Sequence, residues 1–358
     1  VYLRIKMDMA LSKVIPNETV KRLRQLLDGS HNILITCHVR PDGDAIGSSF
    51  GWYHTLKAMG KDVNVILPDR MPKSLEFLPS TKDAVIYTQH KEYADRLMSE
   101  ADLVLCCDFN AWSRLGNLGT AMSESPAAKV LIDHHQKPQI EGALQISYPE
   151  MSSTCELAFR LICDLGWYLD MPRDAAQCLL TGLITDTQNF TVNCSDPEVY
   201  QVMIKLLEKG ADKSQIMWEA VKLTTYQAMK LNAFAISERM EIFPKYRGAV
   251  VYLTKEDLDR FDYQKGDTEG LVNEPLRIRG VVYSIFLRED DDCIKVSMRS
   301  RYDFPVSDLC EDLGGGGHRM AAGAEFEGTM DECRKAIMDE MEKYAHLVPK
   351  NIDKLELK

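Results

Sequence analysis

Short apolar runs alternate with helical stretches through the first two-thirds of the chain. The runs at 32–36, 63–67, 103–107 and 129–132 have the largely continuous apolar character of buried strands. Between them, segments such as 45–59, which ends before Gly60, and 93–99 read as helices. Continuous apolar strands that alternate with helices are typical of sheets covered on both faces. We therefore predict an α/β fold with a mostly parallel sheet and helices on both faces.

The pattern changes near Ser152, where it becomes helical, and again near Ile236, where strands return. We predict helices at 152–165, 173–183 and 196–209, with more helix through about 235. Further on we predict two strand pairs, 238–243 with 249–253 and 279–287 with 294–299, and a closing helix at 331–344. The predicted organisation is a first domain at 1–211, a helical connector at 212–235 and a smaller α+β domain at 236–358.

Composition is that of a globular protein with room for two cores. The 358 residues are 45% apolar and 27% charged. No apolar run approaches the roughly 18 residues that span a bilayer, and the first nine residues lack the pattern of a signal peptide. The ten cysteines are scattered and none forms a Cys-x-x-Cys pair, which suits a reducing compartment. We expect a soluble cytoplasmic protein.

The net charge bears on the kind of substrate. Proteins that bind long nucleic acids usually present a basic face, whereas this chain carries a net charge of −11. A small substrate that needs few local contacts fits this charge, and so does a substrate that is not a polyanion. An acidic surface that merely favours solubility fits equally well, so charge alone leaves these alternatives open.

Acidic and histidine residues come just after apolar runs in four places. They are His38, Asp42 and Asp44; Asp108; Asp133, His134 and His135; and Asp186. In an open parallel sheet, ligands bind beyond the carboxyl ends of the strands, so three strands would bring the first three of these groups to one edge. Each stretch alone would more often be a turn or a surface loop. Together they predict a site for two divalent metal ions, and the mixture of oxygen and nitrogen donors favours Mn, Fe, Co or Zn.

A run of glycines marks a second candidate site. Gly314, Gly315, Gly316 and Gly317 precede His318. Consecutive glycines cost conformational entropy, and close approach of the backbone to phosphate oxygens would explain them. On the strand at 294–299, Arg299 shares a face with Lys295 and could bind a phosphate through its guanidinium; a solvated face balanced by the acidic turn at 289–292 is the alternative. We predict that substrate is bound by Arg299, Gly315, Gly316, Gly317 and His318.

These motifs resemble the DHH phosphoesterase superfamily with its DHH-associated C-terminal domain, over about residues 30–345. Within it the chain looks most like the nano-RNase (oligoribonuclease) and pAp phosphatase branch, often labelled exopolyphosphatase-related. The resemblance implies that His38 and Asp42 hold one metal ion and that Asp44, His134 and Asp186 hold the other. It also implies that Asp108 bridges the ions, that His135 lies beside the scissile phosphate and that Asp133 orients a ligand imidazole.

The same resemblance implies an enzyme with two Mn²⁺ ions as cofactors. It would hydrolyse oligoribonucleotides of a few residues and 3'-phosphoadenosine 5'-phosphate (pAp) by metal-activated water. The alternatives are a soluble cyclic di-AMP or pApA phosphodiesterase, an exopolyphosphatase, and a non-catalytic nucleotide sensor, for which an intact ligand set would be unnecessary. The expected partner is short RNA or a small nucleotide, with neither long duplex nucleic acid nor a membrane involved. The oligomeric state is open, and a homodimer is one possibility.

Overall fold

The computed structural model describes residues 11–352, which form two compact units. The first unit ends at Leu223 and the second begins at Thr224. The domain limits drawn from the sequence, 1–211 and 236–358 with a connector between them, stay predictions. Within the described range, no helix combines the length and apolar character that crossing a bilayer requires.

The first unit is built on six parallel strands. They lie in the order β3-β2-β1-β4-β5-β6. Their bounds are β1 Asn32–Thr36, β2 Asp62–Leu67, β3 Val85–Ile86, β4 Leu103–Cys107, β5 Ala128–Asp133 and β6 Leu144–Ser147. The four apolar runs of the sequence are thus β1, β2, β4 and β5, and the predicted parallel sheet is confirmed.

Helices cover this sheet on both faces. They are α1 Asn17–Gly29, α2 Gly43–Ala58, α3 Lys91–Glu100, α4 Asn117–Glu124, α5 Thr154–Asp164, α6 Arg173–Asp186, α7 Pro197–Glu208 and α8 Lys213–Ile216, which continues into one π-helical turn at Met217–Lys222. Successive strand residues point to opposite sides: Ile33 and Ile35 pack with α2, α5 and α6, while Leu34 packs with α3 and α4. Two separate apolar cores result, one on each face.

The chain order reverses between β1 and β4. From β1 the chain passes to β2 and β3 on one side of the sheet, and it then returns to β4 on the other side before reaching β5 and β6. β1 and β4 pair in parallel with Thr36 opposite Cys106. In sheets of this topology, ligands bind outside the carboxyl ends of the strands at this switch point. The residues just beyond Thr36 and Cys106 therefore occupy the expected ligand position.

α2 and α6 approach one another closely because glycines line their contact. A Cβ atom on Gly47 would lie 2.5 Å from the carbonyl oxygen of Cys178, and one on Gly182 would lie 2.9 Å from the Cα atom of Asp44. Gly43 is the first residue of α2, and a side chain there would collide with Thr185. This contact places the start of α2 beside the end of α6.

The second unit contains another six-stranded sheet, in the order β11-β12-β10-β9-β8-β7. Its elements are α9 Tyr226–Glu238, β7 Met240–Phe243, β8 Gly248–Leu253, α10 Lys255–Arg260, β9 Tyr283–Glu289, β10 Ile294–Ser300, α11 Val306–Asp312, β11 Gly316–His318, β12 Ala321–Phe326 and α12 Met330–Tyr344. β8 and β9 pair in parallel and the other neighbours are antiparallel. The α+β prediction and both predicted strand pairs are confirmed; β11 and β12 were not predicted.

The two faces of the second sheet are covered differently. One face packs on α11 and α12, with Val296 and Met298 of β10 in that core. On the other face, apolar side chains of α9 and of the segment near Leu271 pack on β8 and β9. Residues of β10, β11 and β12 on this second face remain half-buried or exposed. This leaves one half of the face accessible.

Candidate metal centre and phosphate-binding face

The loop between β1 and α2 supplies the first donors. His38 is buried just beyond β1, and Asp42 is the N-cap residue of α2. Oδ1 of Asp42 accepts hydrogen bonds from the backbone nitrogens of Asp44 and Ala45, both at 3.0 Å. Its other oxygen, Oδ2, lies 3.8 Å from Nε2 of His38. The capping hydrogen bonds thus orient the Asp42 carboxylate, so that one oxygen is bonded to α2 and the other faces His38.

Asp108 lies at the centre of the cluster. It follows β4 with a left-handed backbone conformation, φ 64°, and its nitrogen donates to the carbonyl of Ile132 at 3.0 Å. Its carboxylate Oδ2 is 3.4 Å from Nε2 of His38, and its Oδ1 is 3.8 Å from Nε2 of His134. One buried carboxylate therefore faces two separate groups of donors.

The second group of donors comes from three elements. Asp44 lies in the first turn of α2, His134 follows β5, and Asp186 is the last residue of α6. Nε2 of His134 is 3.9 Å from Oδ2 of Asp44 and 3.7 Å from Oδ2 of Asp186. The close packing of α2 on α6 brings the two carboxylates to the same imidazole.

The donor set fits divalent metal ions. His38, Asp42 and Asp108 offer ligand atoms that lie within 4.8 Å of one another, and so do Asp44, His134 and Asp186. Separations of 3.4–3.9 Å exceed a hydrogen bond. They match the spacing of about 3–4 Å between neighbouring ligands that are each about 2.1 Å from one ion. Oxygen and nitrogen donors suit Mn²⁺ and similar ions.

The crowded histidines and carboxylates of the cluster shift one another's pKa values. Burial alone would lower the pKa of His38, but contact with Asp108 and the charge of Asp42 raise it to about 9. Burial also opposes the charged form of His134, yet the surrounding carboxylates raise its pKa to about 9. Burial and neighbouring carboxylates raise the pKa of Asp186 to about 7 and also raise that of Asp44. Such crowded carboxylates retain protons that a bound cation would displace.

His135 also lies in the cluster, since its Nδ1 atom is 3.8 Å from Oδ1 of Asp108 and the two residues form a third close group with His134. Its Nδ1 atom donates to Oδ1 of the fully buried Asp133 at 2.7 Å. We expected Asp133 to orient a ligand imidazole, but Nδ1 of the ligand candidate His134 lies 3.2 Å from the carbonyl of Met151 instead. Asp133 thus orients His135, and this leaves Nε2 as the ring atom available to a substrate.

The start of α5 also contacts the cluster, which sequence reasoning missed. The backbone nitrogens of Thr154 and Cys155 donate to Asp44, and the hydroxyl of Thr154 donates to Asp108. The only local signal is Ser153 followed by Glu156 three residues later, which is typical of a helix N-terminus. That signal predicts the helix start but not the distant carboxylates beside it.

Two arginines border the same edge of the sheet. Arg40 lies between His38 and Asp42, and the carbonyl of Arg114 accepts a hydrogen bond of 2.8 Å from the nitrogen of Val39. Both arginines are exposed, and neither guanidinium has an ion-pair partner within residues 11–352. They supply local positive charge in a chain of net charge −11.

In the second unit, Arg299 and His318 lie in one cross-strand row. Ala321 of β12 is opposite Arg299 of β10 on one side and opposite His318 of β11 on the other. Directly opposite residues share a face, so a small side chain separates the two polar ones. Lys295, four residues before Arg299 on the same face, forms an ion pair with Glu325, whereas Arg299 has no carboxylate partner among the described residues. Burial lowers the pKa of Arg299.

The glycine run has two kinds of member. A Cβ atom on Gly315 would lie 2.7 Å from the Cα atom of Ala324, and one on Gly317, where φ is 146°, would lie 2.6 Å from that of Ala322. These two glycines are required by packing against β12. A Cβ atom on Gly316 would meet no described atom within 4 Å. Gly316 faces the same side as Arg299, since Gly316 pairs with Gly323 and Gly323 with Ser297.

The chain is similar to known proteins over most of its length. The sequence profile of the DHH family N-terminal domain matches residues 32–183, and that of the DHHA1 domain matches residues 246–346. The bifunctional oligoribonuclease and PAP phosphatase NrnA of Thermus thermophilus is 31% identical over 316 residues, which cover 86% of this chain and 88% of that protein. The chain belongs to the DHH family.

This DHH-family chain is an enzyme, a phosphoesterase hydrolase. Its fold matches the crystal structure of an exopolyphosphatase-related protein from Bacteroides fragilis with a TM-score of 0.92 and 42% identity, over 94% of this chain and 99% of the other. The cyclic-di-AMP phosphodiesterase PdeA of Listeria monocytogenes is 25% identical over 90% of this chain but only 49% of its own length. The DHH-family chain therefore spans about half of that relative.

Proposed function

We propose that this DHH phosphoesterase hydrolyses short nucleotide phosphoesters, namely oligoribonucleotides of a few residues and pAp. The observation that carries the proposal is the position of Asp108, whose two oxygens face two groups of donors. Two-ion sites of this kind suit hydrolysis at phosphorus. The likeness to NrnA supports these substrates, because that relative is named an oligoribonuclease and PAP phosphatase.

We propose that His38 and Asp42 hold one ion, that Asp44, His134 and Asp186 hold the other, and that Asp108 bridges them. Mn²⁺ is the proposed metal, since the donors combine carboxylate oxygens with imidazole nitrogens. The bound ions would neutralise phosphate charge, lower the pKa of water to supply a nucleophile and stabilise the leaving oxygen. The chain's own side chains would then only have to orient the substrate.

His135 is the proposed contact to the reacting phosphate. Asp133 fixes its ring through the 2.7 Å hydrogen bond at Nδ1, so Nε2 can meet a phosphate oxygen at a set angle. Arg299, His318 and the backbone from Gly315 to Gly317 are the proposed contacts to a substrate phosphate in the second unit. The missing carboxylate partner of Arg299 within the described chain and the open space beside Gly316 support this assignment.

A second candidate substrate class is cyclic di-AMP or its linear product pApA. The match to the phosphodiesterase PdeA over 90% of this chain favours it, because the same donors could act on either phosphodiester. We also propose a reducing cytoplasmic location. It is supported by the ten cysteines, which are all free thiols in this structure.

The test is hydrolysis by the purified protein with Mn²⁺. The substrates are pAp, a 2–5-residue RNA, pApA, cyclic di-AMP, pyrophosphate and polyphosphate. We expect phosphate release from pAp and mononucleotide release from the short RNA. Asp108→Asn removes one anionic ligand oxygen with little change of shape, so it should lower both rates by at least about 100-fold.

Controls separate the alternatives. A chelator should stop the wild-type reaction, and added Mn²⁺ should restore it. Activity confined to cyclic di-AMP or pApA would move the function to that second class. No turnover on any of the six substrates, or full activity in Asp108→Asn, would overturn the proposed function.

A further inference from the structure

We propose that Thr154 is a positioning residue of the metal centre, one that fixes the two carboxylates Asp44 and Asp108. This inference rests on the proposed function, because it concerns the ligands assigned there. Thr154 is fully buried at the start of α5 and lies outside the four sequence motifs. Its role is to set the direction of ligand oxygens and not to touch substrate.

The contacts of Thr154 are direct. Its hydroxyl Oγ1 donates to Oδ1 of Asp108 at 2.9 Å. Its backbone nitrogen donates to Oδ2 of Asp44 at 2.7 Å, and the next nitrogen, that of Cys155, donates to Oδ1 of Asp44 at 2.9 Å. One residue thus contacts a carboxylate of the second donor group and the carboxylate shared by both groups.

The helix N-terminus explains why backbone nitrogens are available. The first amides of a helix have no acceptor within it, and that end carries partial positive charge. The side chain of Ser153 caps α5 by accepting from the nitrogen of Glu156 at 3.0 Å. The nitrogens of Thr154 and Cys155 are therefore left to donate to Asp44, whose carboxylate replaces the missing helical acceptors.

A buried ion pair holds the turn before α5 in place. The carboxylate of Glu156 accepts from the nitrogen of Ser152 at 2.9 Å and from its hydroxyl at 2.6 Å. Arg160, on the next turn of the helix, donates to Glu156 at 2.9 Å and to Glu198 at 2.8 Å. These contacts hold Ser152 and Glu156 on either side of Thr154, so they restrict the backbone at Thr154.

The hydroxyl of Thr154 orients the carboxylate of Asp108. Rotation of that carboxylate would move Oδ1 away from His134 and Oδ2 away from His38, which are 3.8 Å and 3.4 Å away. A donor at 2.9 Å from Oδ1 opposes the rotation. Residues that hydrogen-bond to metal ligands typically contribute about 10- to 100-fold to metal affinity. Loss of the hydroxyl should therefore weaken binding of the ions.

The test measures Mn²⁺ binding to the purified 358-residue chain at equilibrium, by electron paramagnetic resonance of free Mn²⁺. Thr154→Val replaces the hydroxyl with a methyl group of similar size and should weaken binding by about 10- to 100-fold. Thr154→Ser keeps the hydroxyl donor, so its affinity for Mn²⁺ should stay within about threefold of the wild-type value. The matched control is Thr55→Val, since Thr55 is equally buried but its hydroxyl bonds only to the carbonyl of Gly51 in its own helix.

Thermal unfolding without metal checks that each variant folds. If Thr154→Val does not fold, Thr154→Ala takes its place with the same expected loss, because it removes the donor without adding a methyl group near the carboxylate. Wild-type affinity in the folded variant lacking the hydroxyl would overturn this inference alone. A Thr154→Ser variant that binds Mn²⁺ as weakly as Thr154→Val would also overturn this inference. Failure of the wild-type protein to bind Mn²⁺ would overturn the proposed function and this inference with it.

Discussion

At the scale of single residues, two cations of β10 differ in their partners. Lys295 and Arg299 share one face of β10, yet Lys295 pairs with Glu325 while Arg299 bonds only to the carbonyl of Met298 within the described chain. A half-buried guanidinium without a carboxylate loses hydration that nothing in the fold replaces. An anionic ligand would replace it, which supports the proposal that Arg299 contacts the substrate.

Arg299→Gln should raise the KM for pAp by about 10- to 100-fold while it changes kcat less, because a charged hydrogen bond to a phosphate contributes about 1.5–3 kcal/mol. Steady-state kinetics with Mn²⁺ measure both constants. Lys295→Gln is the control on the same strand and face, and we expect its KM to stay within about twofold of the wild-type value. Equal KM values in the two variants would argue against a phosphate contact at Arg299.

The residues that sequence reasoning found share a local signal, and those it missed do not. Asp108 and His134 could be predicted as ligands because each directly follows an apolar strand. Thr154 could not, because its partner Asp44 lies 110 positions earlier and the pair meets only after α5 packs against the start of α2. The sequence does not show which histidine Asp133 contacts. An Asp-His-His tripeptide allows a hydrogen bond between Asp133 and either ring, and the structure places that bond at His135.

At the scale of elements, the packing of α2 on α6 brings together the proposed ligands Asp44 and Asp186 from the two helices. Gly43, Gly47 and Gly51 recur at intervals of four residues on α2, and each would collide with α6 if it carried a side chain. Residues four apart lie on one face of a helix, so the glycines form a continuous contact surface. The spacing of Asp44 and Asp186 therefore depends on residues that are not ligands.

Gly182→Ala tests this dependence. The added Cβ atom would meet the thiol of Cys155 and would lie 2.9 Å from Oδ1 of Asp44. We expect the free energy of unfolding of the first unit to fall by about 1–3 kcal/mol, as is usual for overpacking. Affinity for Mn²⁺ should fall as well, because Asp44 is displaced. Chemical unfolding and a Mn²⁺ titration measure the two effects.

Gly29→Ala is the matched control for that experiment, since a side chain at this last residue of α1 would meet no described atom within 4 Å. Its stability should equal or slightly exceed that of the wild type. A Gly182→Ala protein with wild-type stability and wild-type affinity would mean that close packing of α2 on α6 does not determine the ligand positions.

Among the elements that sequence reasoning missed, β3, β11 and β12 are short or made of small residues. β3 has two residues and β11 has three, of which two are glycine. Neither strand is long enough to show the alternation of apolar and polar residues that predicts a strand. β12 reads Ala-Ala-Gly-Ala-Glu-Phe and lacks β-branched residues, although β10 pairs with it along its whole length. Cross-strand pairing determines these strands, and the local sequence does not encode it.

At the scale of the whole molecule, the strand order and the local charge together explain how an acidic chain binds an anion. The reversal between β1 and β4 gathers the donors at one edge of the sheet. Arg40 and Arg114 border that edge, and divalent ions would add further positive charge. A net charge of −11 is therefore compatible with a short nucleotide substrate that makes only a few contacts.

The most direct test of the account is to locate the ions. A crystal grown with Mn²⁺ and measured at the manganese absorption edge gives anomalous peaks at the metal positions. We expect two peaks in the first unit, about 3.5–4 Å apart, on opposite sides of the Asp108 carboxylate. One should lie beside His38 and Asp42, and the other beside Asp44, His134 and Asp186. A single peak, or peaks away from Asp108, would contradict the two-ion site.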